Sequence, residues 1–287
     1  MHFDLDLFEQ LNQEYASKPS HSARSNDAES VAQRGEHRAR WLDVRFGVRG
    51  KRCLEVGCGR GEVAGALAAR GCEVVGVDVK RYPEWDAGAG LRLLDRDIAS
   101  QPIDDLGRFD LIFSFSVWEH MRQPREALAA AKRLLHPGGD LYISANLHRG
   151  TQASHRYREV FFPWPHLLFA DEVFERFYEK RGIQGQRAAW VHCWSAAEYL
   201  QACAELGLSV LDCTYARKPI DEAFYARFEH VLSRYTRADL ERDFIKVHLR
   251  HKSLWRRAAQ ALLQVEPRAL TARAGHLARL AISRWRG

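Results

Sequence analysis

The stretch Cys53-Leu54-Glu55-Val56-Gly57-Cys58-Gly59-Arg60-Gly61-Glu62 carries three glycines at alternate positions, and Asp78 closes the apolar segment that follows it. Residues 54–56 read as a buried strand and 63–70 as the helix after it. The glycines therefore form a turn where the backbone passes close to a ligand. Glycine tolerates such a turn at little cost, because it has no Cβ to clash when φ is positive. Asp78 ends a second strand, 73–78, where a carboxylate is placed to accept hydrogen bonds from ribose hydroxyls. The ligand implied by the pair carries a nucleoside.

Spacing and charge narrow the choice of nucleoside. A dinucleotide fingerprint is G-x-G-x-x-G, with the pyrophosphate on the bare N-terminus of the helix. Here the third glycine comes one residue early, and Glu62 stands where a dinucleotide fold keeps glycine or alanine. A carboxylate at the helix start competes with a pyrophosphate for the positive end of the dipole. The site suits a cofactor without phosphates, such as the sulfonium S-adenosylmethionine.

Residues 110–116 form a short apolar run of the kind a strand buried on both faces shows. Residues 127–135 are apolar on one helical face, and Pro137-Gly138-Gly139 cannot continue a helix, so the chain turns there. Strands alternating with helices imply a parallel sheet. From Lys51 to Asn146 the chain resembles the class I S-adenosylmethionine-dependent methyltransferases. The resemblance rests on the glycine motif 54–61, on Asp78, on Asp97-Ile98, on Phe109 to His120 and on Leu134 to Ile143, all in family order. It implies an α/β Rossmann-like sheet of seven strands with helices on both faces and an N-terminal helical cover, and the chain departs from a minimal member of the family by an insertion after the fifth strand. It also implies S-adenosylmethionine as cofactor, with Asp78 on the ribose and Asp97-Ile98 reading the adenine. Glu55, Gly57, Cys58, Gly59, Gly61, Val79 and Ser114 complete the expected cofactor set.

Outside that core, residues 3–15 and the stretch from Asn26 to Phe46 read as helices, the second capped by Asn26 with Glu29. Residues 1–50 are expected as a cap, with a lid around 18–25. The domain proper then runs from 51 to 251. Ser195 and Glu198 have capping-box spacing, and Gly207 ends that helix. Residues 209–215 and 244–249 read as the sixth strand and an antiparallel seventh. The insertion 147–194 is dense in histidine, arginine and aromatics, and it leaves the carboxyl edge of the sheet, where open α/β proteins bind ligands. Trp118, Arg149, Tyr157, Trp164 and Trp190 are the expected acceptor-binding residues.

Charge is uneven. Residues 1–150 hold 21 Lys/Arg against 22 Asp/Glu, 151–250 hold 14 against 14, and 251–287 hold 8 against 1. The basic segment 252–287 reads as amphipathic helices that dock on the domain or lie on an anionic membrane. The six cysteines show no C-x-x-C pair, the start is acidic, and no run of about 20 apolar residues occurs, which points to a reduced cytoplasmic protein. The balanced catalytic charge disfavours nucleic acid, since no basic stripe tracks a phosphate backbone.

Transfer to a hydroxyl needs alignment and a base. Histidine is the side chain suited to that role near neutral pH. His120 after the fourth strand comes first, then His148 and His192. No metal-ligand spacing stands out. The expected reaction is O-methylation of a sugar, polyol or other small molecule, with a lipid-linked glycan among the acceptors. An RNA methyltransferase, a non-catalytic S-adenosylmethionine-binding module and a nicotinamide dehydrogenase remain open alternatives.

Overall fold

The computed structural model describes residues 4–19, 25, 27–85, 88–151, 153, 159–183 and 192–251. Residues 1–251 make one compact unit. Tyr157, Trp190, most of the expected lid and the whole of 252–287 lie outside the described residues.

The sheet is built from β1 (Arg52–Val56), β2 (Glu73–Asp78), β3 (Leu91–Asp95), β4 (Phe109–Phe115), β5 (Leu135–Asn146), β6 (Leu208–Arg217) and β7 (Arg242–His251), in the order β3-β2-β1-β4-β5-β7-β6. β1 to β5 run parallel, and β7 pairs antiparallel with both β5 and β6. This is the seven-stranded Rossmann-like sheet that the resemblance implies. β1 is buried over its last four residues because helices cover both of its faces.

On one face α2 (Ala28–Phe46) and α3 (Glu62–Ala68) pack over Cys53, Val74, Leu111 and Phe113. On the other, α4 (Pro124–Leu134) and α7 (Ala196–Glu205) pack over Leu54, Ile112, Leu141 and Ile143. The N-cap of α2 is Asp27, whose carboxylate accepts the Ser30 N–H at 2.8 Å, one residue later than the Asn26 cap expected from sequence. The Ser195–Glu198 capping box forms as the spacing indicates. Pro137-Gly138-Gly139 does turn the chain, but as a bulge at the start of β5: Phe109 pairs with Leu135 and Leu111 with Asp140, with Gly138 at φ 84° absorbing the extra residues.

A separate aromatic core binds the N-terminal helix to the insertion. Phe8 of α1 (Leu5–Glu14) lies 4.7–5.1 Å, ring centre to ring centre, from Phe162, Phe169, Phe174 and Phe177. These edge-on and tilted arrangements are the favourable ones for aromatic quadrupoles. Short helices α5 (Pro165–Leu168), α6 (Asp171–Lys180), α8 (Glu222–Arg227), α9 (Glu229–Leu232) and α10 (Arg237–Glu241) supply the rest of that layer. Among the described residues no helix is long and apolar enough to cross a membrane.

Candidate active site

The turn after β1 holds three glycines in the left-handed region: Gly57 at φ 75°, Gly59 at 54° and Gly61 at 87°. Position 57 demands glycine twice over, because a Cβ there would stand 2.3 Å from the Val117 side chain. The turn is tied to β2 by the N–H groups of Gly57 and Cys58, which both donate to the Val77 carbonyl at 2.7 and 3.0 Å. Trp85 clamps it from outside, its indole N–H donating to the Gly59 carbonyl at 2.7 Å.

Asp78 stands at the end of β2. One carboxylate oxygen accepts the Gly59 N–H at 2.9 Å and the other accepts the Lys80 N–H at 3.1 Å. An ionised carboxylate offers about four lone-pair sites, so two remain for a diol. Asp97 is fixed the same way, accepting the Ala99 N–H and the Ser100 hydroxyl, each at 2.8 Å. Between these acids lies a cavity of about 440 Å³, lined also by Val79, Ile98, Val117 and His120. It opens at the carboxyl ends of β1, β2 and β4, where β1 separates strands wound in opposite directions.

Glu55 and Ser114 sit behind this cavity, on β1 and β4. Both are buried, and Glu55 Oε2 and Ser114 Oγ have no hydrogen-bond partner. Burial first, and then the Glu62 carboxylate, push the Glu55 carboxyl well above the usual range, while Arg38 of α2 pulls the other way. Glu62 itself opens α3, and α2 presses on it through Gly35, where a Cβ would meet the Glu62 side chain at 2.8 Å. A pyrophosphate at this helix start would meet a carboxylate and an overlying helix. An uncharged ribose held at Asp78 meets neither, so the residues fit a nucleoside cofactor that has no phosphates.

The three candidate bases occupy different settings. His120 ends the short turn Trp118–His120 and lines the cavity. His192 is buried, with Nδ1 accepting the Trp194 N–H at 3.2 Å and Nε2 facing the Trp118 carbonyl at 3.0 Å. Nε2 must therefore carry the ring's proton, and burial holds the imidazole down to about 4. Such a ring is a neutral clamp with both nitrogens used. His148 is also shifted down, by burial and then by Arg149, and its carbonyl engages His166 Nε2 at 2.6 Å.

Of the expected acceptor residues, the three that are described, Trp118, Arg149 and Trp164, do not line the cavity. Trp118 and Trp164 are fully buried in two different cores, and Trp164 donates to the Leu240 carbonyl at 3.3 Å. Arg149 pairs with Asp239 at 2.9 Å. Tyr157 and Trp190 lie outside the described residues. What sequence reasoning missed is a second, larger hollow of about 680 Å³ under α2, lined by Trp41, Phe115, Ser116, Tyr142, Lys218 and Lys246 among others. Ser116 lines this groove and Val117 lines the cavity, so the two meet at the end of β4. Ser116 is held at φ 57°, rare for a residue with a side chain, by its N–H donating to the Ser144 carbonyl at 2.7 Å. Among the described residues no group of three or more His, Cys, Asp or Glu is placed to hold a metal.

Residues 31–213 match a family model described as a methyltransferase domain. The chain is 34% identical over 116 residues to the ubiquinone biosynthesis O-methyltransferase of Pseudomonas aeruginosa, an alignment covering 37% of this chain and 49% of that one. Its identity to the protein of the same name from Dechloromonas aromatica is 33% over 113 residues, covering 36% and 48%. The matches thus span about half the length of these curated relatives. A solved structure from Listeria monocytogenes, proposed to be an S-adenosylmethionine-dependent methyltransferase, superposes with a TM-score of 0.51 at 16% identity, over 77% of this chain and 100% of that one. At that identity the likeness speaks for the fold.

Proposed function

Because the chain belongs to the methyltransferase-domain family, we propose that it transfers a methyl group from S-adenosylmethionine to a hydroxyl of a small molecule or glycan. The observation that carries this reading is the cavity at the end of β1, with Asp78 and Asp97 on its walls and the Glu62 carboxylate at the helix start where a phosphate would otherwise sit. The O-methyltransferase relatives support a hydroxyl acceptor.

Bound there, S-adenosylmethionine supplies an electrophilic methyl on a sulfonium. Asp78 holds the ribose through its remaining lone pairs, and its bonds to the Gly59 and Lys80 N–H groups keep the carboxylate from swinging away. Asp97 and Ile98 border the space for the base, and Val79 covers it from outside. The backbone of Gly57 and Gly59 leaves room for the amino-acid end. The acceptor approaches from the groove, past Ser116. Holding donor and acceptor in line supplies roughly 7–11 kcal/mol of the barrier in well-oriented cases. An imidazole nitrogen of His120, the one candidate histidine on the cavity wall, takes the hydroxyl proton. Its removal is expected to cost about 10²–10⁴ in rate.

Calorimetry on the full chain with S-adenosylmethionine, S-adenosylhomocysteine and NAD⁺ tests the cofactor. Binding of the first two and not the third is expected, and NAD⁺ binding without them would overturn the reading. Methyl-labelled cofactor then tests the base: His120→Gln should lower kcat far more than cofactor affinity. Near-wild-type turnover in both His120→Gln and His148→Gln would remove the histidine base.

A further inference from the structure

The groove under α2 has a chemical character that a neutral polyol does not require. Its floor is one face of four strands, and one cross-strand row runs through it: Phe115 pairs with Ser144, Ser144 with Lys246, and Lys246 with Thr214. Its roof is His37, Arg38 and Trp41 of α2. At its far wall, where β6 ends, stand Arg217 and Lys218. Asp243 is the acid among the lining residues, and it is engaged, accepting the Thr151 hydroxyl at 2.8 Å. Arg217 has Glu241 at 3.8 Å. Among the described residues neither Lys218 nor Lys246 has an ion-pair partner.

We propose that this groove holds the acceptor by an oxyanion group, a phosphate or a carboxylate, seated between Lys218 and Lys246, with the hydroxyl-bearing part of the molecule reaching toward Ser116. The proposal rests on the methyl-transfer reading above and deepens it by naming the acceptor's class. Two lysines lining a hollow whose one described lining acid, Asp243, is already bonded to Thr151 and acts on Lys218 only through space are a binding surface for a partner that brings further negative charge. Lys218 is shifted down, chiefly by its own burial. An oxyanion beside it favours the ammonium form, as Asp243 already does, and gains a charge-assisted hydrogen bond. Ser144 and Thr214 lie beside Lys246 in the same row and add hydroxyls that either donate or accept. Trp41 and Phe115, packed edge to face at 6.5 Å, line the same groove and give it apolar surface for a carbon skeleton. The acceptor must then already carry its carboxylate or phosphate when the methyl group is added.

The test is calorimetry on the full chain loaded with S-adenosylhomocysteine, using inorganic pyrophosphate, 3,4-dihydroxybenzoate and neutral catechol as probes. At least one oxyanion probe should bind, and dihydroxybenzoate should not be matched by catechol. Lys218→Gln combined with Lys246→Gln should weaken that binding by roughly tenfold or more, as expected for loss of hydrogen bonds to a charged group. The Lys218→Arg, Lys246→Arg pair should retain it, which separates loss of charge from loss of fold. Binding of pyrophosphate alone assigns the group as phosphate, and binding of dihydroxybenzoate alone as carboxylate. If neither anion binds, or binding is unchanged in the glutamine pair, the proposal is overturned. S-adenosylhomocysteine affinity is read in the same titrations. Intact cofactor binding with no anion binding sinks this inference alone, whereas loss of cofactor binding in the wild type sinks the methyl-transfer reading.

Discussion

The donor cavity and the groove under α2 share the end of β4 and are built in opposite ways. The cavity comes from contiguous stretches, Val56 with Gly57, Val77 to Val79, Arg96 to Ser100, and Val117 with His120 to Gln123, each at the carboxyl end of one strand. The groove takes single residues from α2, β4, β5, β6 and β7, which lie up to about 200 positions apart and meet only through sheet register. On the reading proposed above, a cofactor common to many enzymes meets local motifs, while the groove proposed for the acceptor is assembled at long range.

The sharpest way to break this division is through the aromatic layer, which belongs to neither hollow. Trp164→Ala should cost about 3–5 kcal/mol of stability, the usual range for emptying a buried tryptophan site. Trp164→Phe should leave the acceptor KM within about twofold, since a residue of this core touches no substrate. Urea unfolding and steady-state kinetics check the two, and a large KM change in Trp164→Phe would return the insertion to the acceptor site. Asp78→Ala should come next. Two hydrogen bonds to a charged acceptor, each worth about 1.5–3 kcal/mol, make a loss of roughly 100-fold or more in S-adenosylmethionine affinity. Oxyanion binding in the groove should persist, and its parallel loss would show that the two hollows are one site.

A third test uses pH. Burial lowers His192 to about 4 and raises Glu119 to about 7. The unfolded chain binds more protons at His192 between about pH 4 and 6.5, so that contribution to stability is full above pH 6.5 and lost as pH falls. For Glu119 the folded chain binds more protons between about 4.5 and 7, so its contribution is full at low pH and lost as pH rises. The two oppose each other across most of that window. Relative to wild type, His192→Gln should become less stable as pH rises from 4.5 to 7, and Glu119→Gln should become more stable as pH rises from 4 to 6.5. Each swing amounts to up to about 3 kcal/mol. Parallel curves for all three proteins would remove the assignment. The smallest effect is Gly57→Ala, expected to cost about 1–3 kcal/mol for its left-handed backbone and its approach to Val117.

The same contrast explains what could be read from the sequence. The turn at Gly57 and Gly59 and the strand-end positions of Asp78 and Asp97 were legible because backbone geometry acts on neighbouring residues. The sheet was legible because buried parallel strands announce themselves as apolar runs. Lys246 beside Thr214 was not, because a lysine in a strand carries no mark of the face it will occupy. Trp164 was expected at the acceptor and is core, packed in one cluster with Phe162, Phe174 and Phe177. The helical spacing of Phe174, Phe177 and Tyr178, matched by Phe8 and Leu11 in α1, was the signal available for that packing. His192 looked like a base because histidine suits that task. Its two ring nitrogens are committed by a fold that brings Trp118 and Trp194 to it.

The row Phe115, Ser144, Lys246 and Thr214 has a consequence for descent. Each strand contributes one position at one level on the face under α2: Ser144 is buried and Phe115 packs on the core beneath α2 and α3, while Lys246 and Thr214 are exposed. A lineage can therefore exchange Lys246 and Thr214 without disturbing the interior, altering the charge of the groove while the turn after β1 is inherited unchanged.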